Sequence, residues 1–312
     1  MIKKLVVLIA AFAHAVFAAQ PADARPAIEH AFVIAMENAT AAQIYGNGAG
    51  APYINNSIIP KYAHARNFND LLPALPSEPH YLLMEAGTNV FRDTTFLSNA
   101  DPSTDNSTAS RKHLVTQMKK SGNVTWMTYQ EDINSDTGRC PIVSVFPYTA
   151  RHNPFVFFQD VSGNPPSKTN KYCMRHTKPY SKLRGDLAAN RIANYVFITP
   201  NLCNNMHGGP QCPAGDRITA GDTWLSKNLP PIIRWARRNA GVIFIVWDEG
   251  GGLFNMPFLA IGPGVRSNFS NDVHYDHRSL VKTIQVIFGL PILPAVAGSN
   301  DFRKLFKRSA YP

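Results

Sequence analysis

The chain has 312 residues, 45% of them hydrophobic, and a formal net charge of +10 at pH 7. That is enough apolar material for one large α/β domain or two smaller ones, and it excludes a disordered or fibrous protein. The cations are scattered, as at Arg111-Lys112, Lys119-Lys120, Lys168 to Lys171, Arg234 to Arg238 and Arg303 to Arg308, with no dense basic arm and no interleaved aromatics; nucleic acid is therefore not an expected partner, although a diffuse positive field favours anionic substrates.

The N-terminus reads Met1-Ile2-Lys3-Lys4, then an apolar segment from Leu5 to Phe17, then small residues that allow cleavage after Ala18 or after Ala24. This pattern predicts a secretory signal peptide within residues 1–24 rather than a membrane span. Cleavage after Ala18 removes Lys3 and Lys4 and lowers the net charge from +10 to +8. No later segment reaches spanning length, so a secreted or periplasmic soluble protein is expected, with residues 25–312 as one domain.

The next element is the apolar run Ala31 to Met36, which ends in Glu37-Asn38. Both side chains offer oxygen to a hard cation. Asn38 also opens an Asn-Ala-Thr sequon, but its place after a strand favours the metal reading. In Leu75 to Gly87, Pro76 and Pro79 flank Ser77, and the following residues to Ala86 predict a helix that Gly87 ends. Ser77 would then lie at a helix N-terminus, where the dipole and free amides stabilise an alkoxide or hold a phosphate oxygen. Ser110 to Lys120 predicts a second helix, stopped by Gly122.

The stretch from about 130 to 182 is rich in Pro, Ser, Lys and aromatics and has the weakest periodicity. It reads as an insertion over the active-site edge, with Phe155 to Phe158 as either core or an exposed aromatic loop able to touch lipid transiently. Tyr195 to Thr199 is another apolar strand, followed by Pro200-Asn201-Leu202-Cys203-Asn204-Asn205-Met206-His207. Asp222 to Asn239 predicts an amphipathic helix interrupted at Pro230-Pro231.

Gly241 to Trp247 has no polar alternation and reads as a strand buried on both faces of a parallel sheet, delivering Asp248 and Glu249 onto Gly250, Gly251 and Gly252. Ser279 to Phe288 predicts the last helix. Strands alternating with helices predict an α/β three-layer sandwich, with a mostly parallel central sheet and helices on both faces. Three strands ending in carboxylate, carboxamide or imidazole groups predict one shared site at the carboxyl edge of that sheet.

Export also bears on the four cysteines, which lack Cys-x-x-Cys spacing and read as disulfides. Cys203 and Cys212 flank the His207 loop and would close it, leaving Cys140 for Cys173. The spacing favours this local pairing without settling the connectivity.

In chain order, Met36-Glu37-Asn38 with Thr40, Pro76-Ser77-Glu78-Pro79-His80-Tyr81, Arg151-His152-Asn153-Pro154-Phe155, Thr199 to His207, Asp222 to Leu225 with Trp247-Asp248-Glu249-Gly250-Gly251, and Tyr275-Asp276-His277-Arg278-Ser279-Leu280 resemble the motifs of a known group. This is the secreted bacterial and fungal phosphoesterases, which include acid phosphatases and phosphatidylcholine-type phospholipases C, within the alkaline phosphatase superfamily. The resemblance runs from about Ile28 to Leu293. It implies an alkaline phosphatase-like fold, Ser77 as nucleophile, and one divalent or iron ion held by Glu37, Asn38, Ser77, Asp248 and Glu249.

The resemblance also implies that His152 and His207 line a phosphate pocket, one stabilising phosphoryl oxygens and the other protonating the leaving alcohol, before water hydrolyses a phosphoserine. His277 is read as a group beside the metal or as a helix cap, and Asn153, Asn201 and Asn205 as neighbours of the substrate. His64, His113, His176 and His274 match no motif and read as surface or structural residues. Relatives often carry Asp at the position of Asn205 and Asn at that of His80, and some carry two aspartates where this chain has Asp248-Glu249.

Phospholipase C relatives are commonly longer, with C-terminal β-domains, so the expected activity is that of a compact metal-dependent acid phosphatase acting on a small phosphorylated substrate. Phospholipase C is the alternative. A non-catalytic exported anion-binding protein, suggested by Asn205, is a second alternative.

Overall fold

The computed structural model describes residues 28–133, 138–250 and 255–312. The signal-peptide reading and Gly251 and Gly252 fall outside these residues. Eight strands form one sheet: β1 (His30–Met36), β2 (Ala63–Asn69), β3 (Trp126–Gln130), β4 (Thr177–Pro179), β5 (Tyr195–Thr199), β6 (Gly241–Trp247), β7 (Asn255–Ile261) and β8 (Phe269–Asn271). Their order across the sheet is β4-β3-β5-β1-β6-β7-β2-β8.

All run parallel except β7, which is antiparallel to both β6 and β2. Chain length explains the exception. Only residues 248–254 separate β6 from β7, too few for the helical crossover that a parallel pair requires. The predicted β1, β5 and β6 match the structure almost to the residue because each is apolar on both faces.

The helices are α1 (Ala41–Ile44), α2 (Ser77–Ala86), α3 (Leu114–Ser121), α4 (Gln159–Ser162), α5 (Lys171–His176), α6 (Leu183–Ala188), α7 (Arg217–Arg238) and α8 (His277–Ile287). They cover both faces of the sheet. Phe32 of β1 meets Trp235 of α7. Its neighbour Val33 is in register with Phe197 of β5, and Phe197 meets Tyr81 of α2. Successive residues of a strand point to opposite faces, so α7 lies on one side and α2 on the other.

Three helix boundaries differ from expectation, and in the simplest case α3 begins at Leu114 rather than Ser110. α7 starts at Arg217, capped by Asp216, and runs unbroken through Pro230 and Pro231. Its apolar stripe of Leu225, Leu229, Ile232, Trp235 and Ala236 is buried, and this packing overrides the local cost of the prolines. Asp222, expected near the start, lies within the helix and accepts the amides of Tyr53 and Ile54 at 2.8 and 2.9 Å. α8 starts at His277 because Asp276 and Ser279 form its capping box.

The 130–182 stretch shares the core rather than only overlying it. It supplies β4, and Phe155, Val156, Phe157 and Phe158 are all buried, which removes that run as a lipid-contacting loop. Cys140 pairs with Cys173 and Cys203 with Cys212, across separations of 33 and 9 residues. Loop-closure entropy gives these bonds about 4 and 3 kcal/mol respectively.

Although α3 begins after His113, that side chain makes no cap. It is buried, with Nδ1 2.9 Å from Glu85 Oε1 and Nε2 3.0 Å from Asp160 Oδ1, its ring stacked on Phe158. Burial alone lowers its pKa, but the Asp160 and Glu85 hydrogen bonds and charges outweigh it and the net shift is upward. The His113 shift therefore contributes stability that is fully present below the unfolded value near 6.5 and fades as pH rises through the folded one, while burial in the first place holds the paired Glu85 above its ordinary value. His113→Leu is expected to cost about 3–5 kcal/mol in urea unfolding at pH 6, since it strands Glu85 inside the protein.

Candidate active site

Register alone brings two candidate ligands together. Met36 pairs with Trp247 across β1 and β6, so Glu37 and Asp248 leave the sheet side by side. The Asn38 amide then donates to Asp248 Oδ1 at 3.1 Å. α2 arrives over the same edge with Ser77 as its first residue and Gly87 in the left-handed conformation at its end. Ser77 Oγ donates to Glu249 Oε1 at 2.9 Å and lies 3.2 Å from Glu37 Oε2. Glu37, Asp248 and Ser77 are all buried.

One expectation about this helix end changes. The Glu78 amide is occupied by Asn99 Oδ1 at 2.9 Å and Pro79 has no N–H. Of the first three amides, only that of Ser77 itself is left for an anion.

Glu37, Asp248 and Glu249 each offer a carboxylate oxygen within 4.8 Å of the others. Burial, and then the charges of Glu37 and Glu249, push the Asp248 carboxyl well above the usual range. Burial in the first place also lifts Glu37 to about 8, against hydrogen bonds from Tyr81 and other neighbours that lower it. Anionic oxygens packed this closely call for a proton or a cation.

Two observations fit a cation. Among the described residues, Asp248 Oδ2 is buried without a hydrogen-bond partner. The Asn38 carboxamide has one end 3.1 Å from Glu37 Oε2 and 3.3 Å from Glu249 Oε1. As NH2 that end donates to both; as C=O it faces two anionic oxygens, an arrangement that only a shared cation makes favourable. An all-oxygen set of this kind suits a hard ion.

The histidines divide. His152 is buried, stacked on Tyr81, with Nδ1 3.2 Å from Glu37 Oε1. Burial first, then the nearby His207 and Arg151, hold it well below the ordinary histidine range, so it is neutral at pH 7. His207 is exposed, its ring 6.2 Å from that of His152, on the loop closed by Cys203–Cys212.

His277 does not reach the carboxylates by any hydrogen bond. Its Nε2 bonds the Trp247 carbonyl at 2.9 Å, so it anchors the strand end one residue before Asp248. It is the first residue of α8 and not its cap. Burial, and then His80, lower it to about 4.

The three asparagines differ as well. Asn153 is buried beside Tyr148. Asn205 supports the loop, accepting the His207 amide at 2.9 Å and standing 3.5 Å from His152 Nδ1. Asn201 is a scaffold, accepting the amides of Cys203 and Asn204 and donating to Asp132.

Three residues enter that the motifs did not single out as functional. Tyr81 donates to Glu37 Oε1 at 2.7 Å. His80 forms a buried pair with Asp70, 2.8 Å from Nε2 to Oδ1. Burial pulls the His80 pKa down, but Asp70 and the charge of Asp248 reverse this to a net rise, placing an imidazolium beside the acidic group. Asp70 was findable, because β2 points the same way as β1 and β6 and ends in polar Asn69-Asp70. Its strand lacks a continuous apolar run, which hid it.

A serine at a helix N-terminus facing clustered carboxylates, at the carboxyl edge of a mostly parallel three-layer sandwich, defines an alkaline phosphatase superfamily fold. Solved structures agree: a phosphonate monoester hydrolase from Silicibacter pomeroyi is similar with a TM-score of 0.55 at 12% identity, covering 89% of this chain and 76% of that one. A protein in the alkaline phosphatase superfamily from Vibrio parahaemolyticus gives 0.53 at 9%, covering 91% and 72%. Within that fold, the chain belongs to the Phosphoesterase family, whose model matches residues 68–291, and it is a phosphoric ester hydrolase.

Among curated relatives, it is 28% identical over 272 residues to the phosphatidylinositol-3-phosphatase of Mycobacterium tuberculosis, covering 86% of this chain and 80% of that protein. It is 25% identical over 247 residues to the phosphate-repressible acid phosphatase of Penicillium chrysogenum, covering 76% and 55%. The chain spans about half the length of such fungal relatives. The matched region contains Ser77, His152, His207, Asp248 and Glu249; Glu37 and Asn38 precede it.

Proposed function

We propose that the protein is an exported, metal-dependent phosphomonoesterase of the acid phosphatase type, working through a phosphoserine at Ser77. The observation that carries this reading is the Ser77 hydroxyl, held between Glu37 and Glu249 at the start of α2. Those carboxylates fix the hydroxyl and would hold the ion that activates it, while the helix dipole favours the incoming anion. Neutral His152, oriented by stacking on Tyr81, is a hydrogen-bond donor for a phosphoryl oxygen. Exposed His207, its ring 6.2 Å from that of His152, is the group assigned to protonate the leaving alcohol.

Glu37, Asn38, Asp248, Glu249 and the Ser77 oxygen would hold the ion. When bound, a hard cation such as Mg, Ca or Mn, or alternatively Fe or Zn, lowers the serine pKa and neutralises phosphoryl charge. The two disulfides suit an oxidising compartment, which supports secretion or a periplasmic location. Asn205, the feature behind a purely binding role, is used to hold the His207 loop. The burial of Phe155 to Phe158 removes the feature that favoured a phospholipase C.

The test is a paired assay with divalent ions supplied. Release of p-nitrophenol from p-nitrophenyl phosphate, with phosphate recovered on Ser77 after an acid quench, is the expected result. Phosphocholine release from phosphatidylcholine without p-nitrophenyl phosphate turnover would favour phospholipase C. Hydrolysis of neither substrate would remove the reading.

A further inference from the structure

At the C-terminal end of α2, about 15 Å from Ser77 by the rise of a ten-residue helix, a cavity of about 790 Å³ opens to solvent. Its size falls in the range of small-ligand sites. Val90, Phe91, Leu293 and Pro294 form apolar wall, and Val90 is 57% exposed. Beside Leu293, Ile292 is 40% exposed and extends the apolar surface.

Arg92, Arg111, Lys112 and Lys120 converge on the same cavity, all exposed. None of the four makes an ion pair or a side-chain hydrogen bond among the described residues. Elsewhere exposed cations find partners, as in Arg66–Asp272, Arg191–Asp186 and Arg303–Asp301. The cavity's one carboxylate, Asp93, is already engaged by Thr108 Oγ1 and the Ala109 amide, each at 2.7 Å. Four unpaired cations against one occupied carboxylate leave a cationic rim around an apolar wall.

We propose that this cavity binds an anionic lipid, its head group among Arg92, Arg111, Lys112 and Lys120 and the upper part of its chain against Val90, Phe91 and Leu293. Charge complementarity selects the head group, and the exposed apolar wall selects an amphiphile over a fully polar anion. The lipid held here is an anchor and not the molecule hydrolysed, because Ser77 lies at the other end of α2. The site therefore stands independently of the phosphatase reading.

Co-sedimentation of the purified protein with vesicles tests this. Binding is expected to vesicles of phosphatidylcholine mixed with phosphatidylglycerol, to weaken as salt rises, and to be absent with phosphatidylcholine alone. Removing Arg92, Arg111 and Lys112 together as glutamines should weaken it on the order of 100-fold, at about fivefold per surface cation. Val90→Asp should also release the protein, and dihexanoyl phosphatidylglycerol should displace it from vesicles.

Thermal melts of the variants show whether they remain folded, and unchanged p-nitrophenyl phosphate turnover is expected in both. Equal binding to neutral vesicles, or full binding by the charge variant, overturns the proposal. Displacement by inorganic phosphate as effective as by the short-chain lipid means that the cavity reads a bare anion, which also overturns it. Competition by heparin with no effect of Val90→Asp points to an acidic polymer and does the same.

Discussion

Ser77→Ala is expected to lower kcat on p-nitrophenyl phosphate by about 10⁴- to 10⁶-fold, the scale seen when an activated serine nucleophile is removed. The fold should survive. Ser77 is the first residue of α2, its oxygen bonds only to site carboxylates, and the helix stays anchored by the buried Tyr81, Leu82 and Met84. Loss of turnover with a melting temperature within a few degrees of wild type would separate chemistry from stability. If activity persists in the variant, Ser77 is not the nucleophile, whatever the family implies.

Chelation is the second large effect. If Glu37, Asp248 and Glu249 hold an ion beside Ser77, as proposed, EDTA should remove nearly all turnover and Mg or Mn should restore it. The stability signature has a definite sign. With Glu37 raised to about 8 and Asp248 raised well above the usual range, these two groups bind more protons in the folded ion-free protein than in the unfolded chain above about pH 4.5. Their contribution to stability therefore falls as pH rises from there toward 8.

A bound cation replaces those protons, so it competes poorly at pH 5 and well at pH 8. The melting-temperature difference between ion-loaded and EDTA-treated protein should thus be larger at pH 8. An equal or smaller difference at pH 8 would show that these carboxylates do not hold the ion.

Much of the candidate site is legible in the residues because of where its strands stop. β1 and β6 are apolar without a break, and such strands have one place for polar groups, the edge of the sheet. Glu37, Asn38, Asp248 and Glu249 are visible for that reason, as is Ser77 between two prolines. Asp70 follows the same rule but closes a mixed strand, Ala63 to Asn69, whose polar residues blur the signal. Tyr81 and His80 were hidden for another reason: on a helix that is buried all round, nothing in the sequence says which polar tip faces the catalytic edge.

His113 shows the limit most clearly. It follows Arg111-Lys112 and precedes a helix, a local context that suits a solvated cap. Its partners Glu85 and Asp160 lie 28 and 47 residues away, and no local pattern links them.

By itself, then, the amino-acid sequence determined the strand cores, the helix that begins at Ser77, the family and the oxygen-bearing residue types at the sheet edge, because hydrophobic periodicity, proline and glycine act over a few residues. Tertiary structure alone decided which histidine is buried and neutral and which is exposed, how the His80–Asp70 pair stands beside Asp248, and that α7 continues through Pro230 and Pro231. It also gathered four scattered cations around one apolar cavity. Each of these depends on burial and on charges brought together from distant parts of the chain, and desolvation and Coulomb energy are set by three-dimensional distance rather than by position in the sequence.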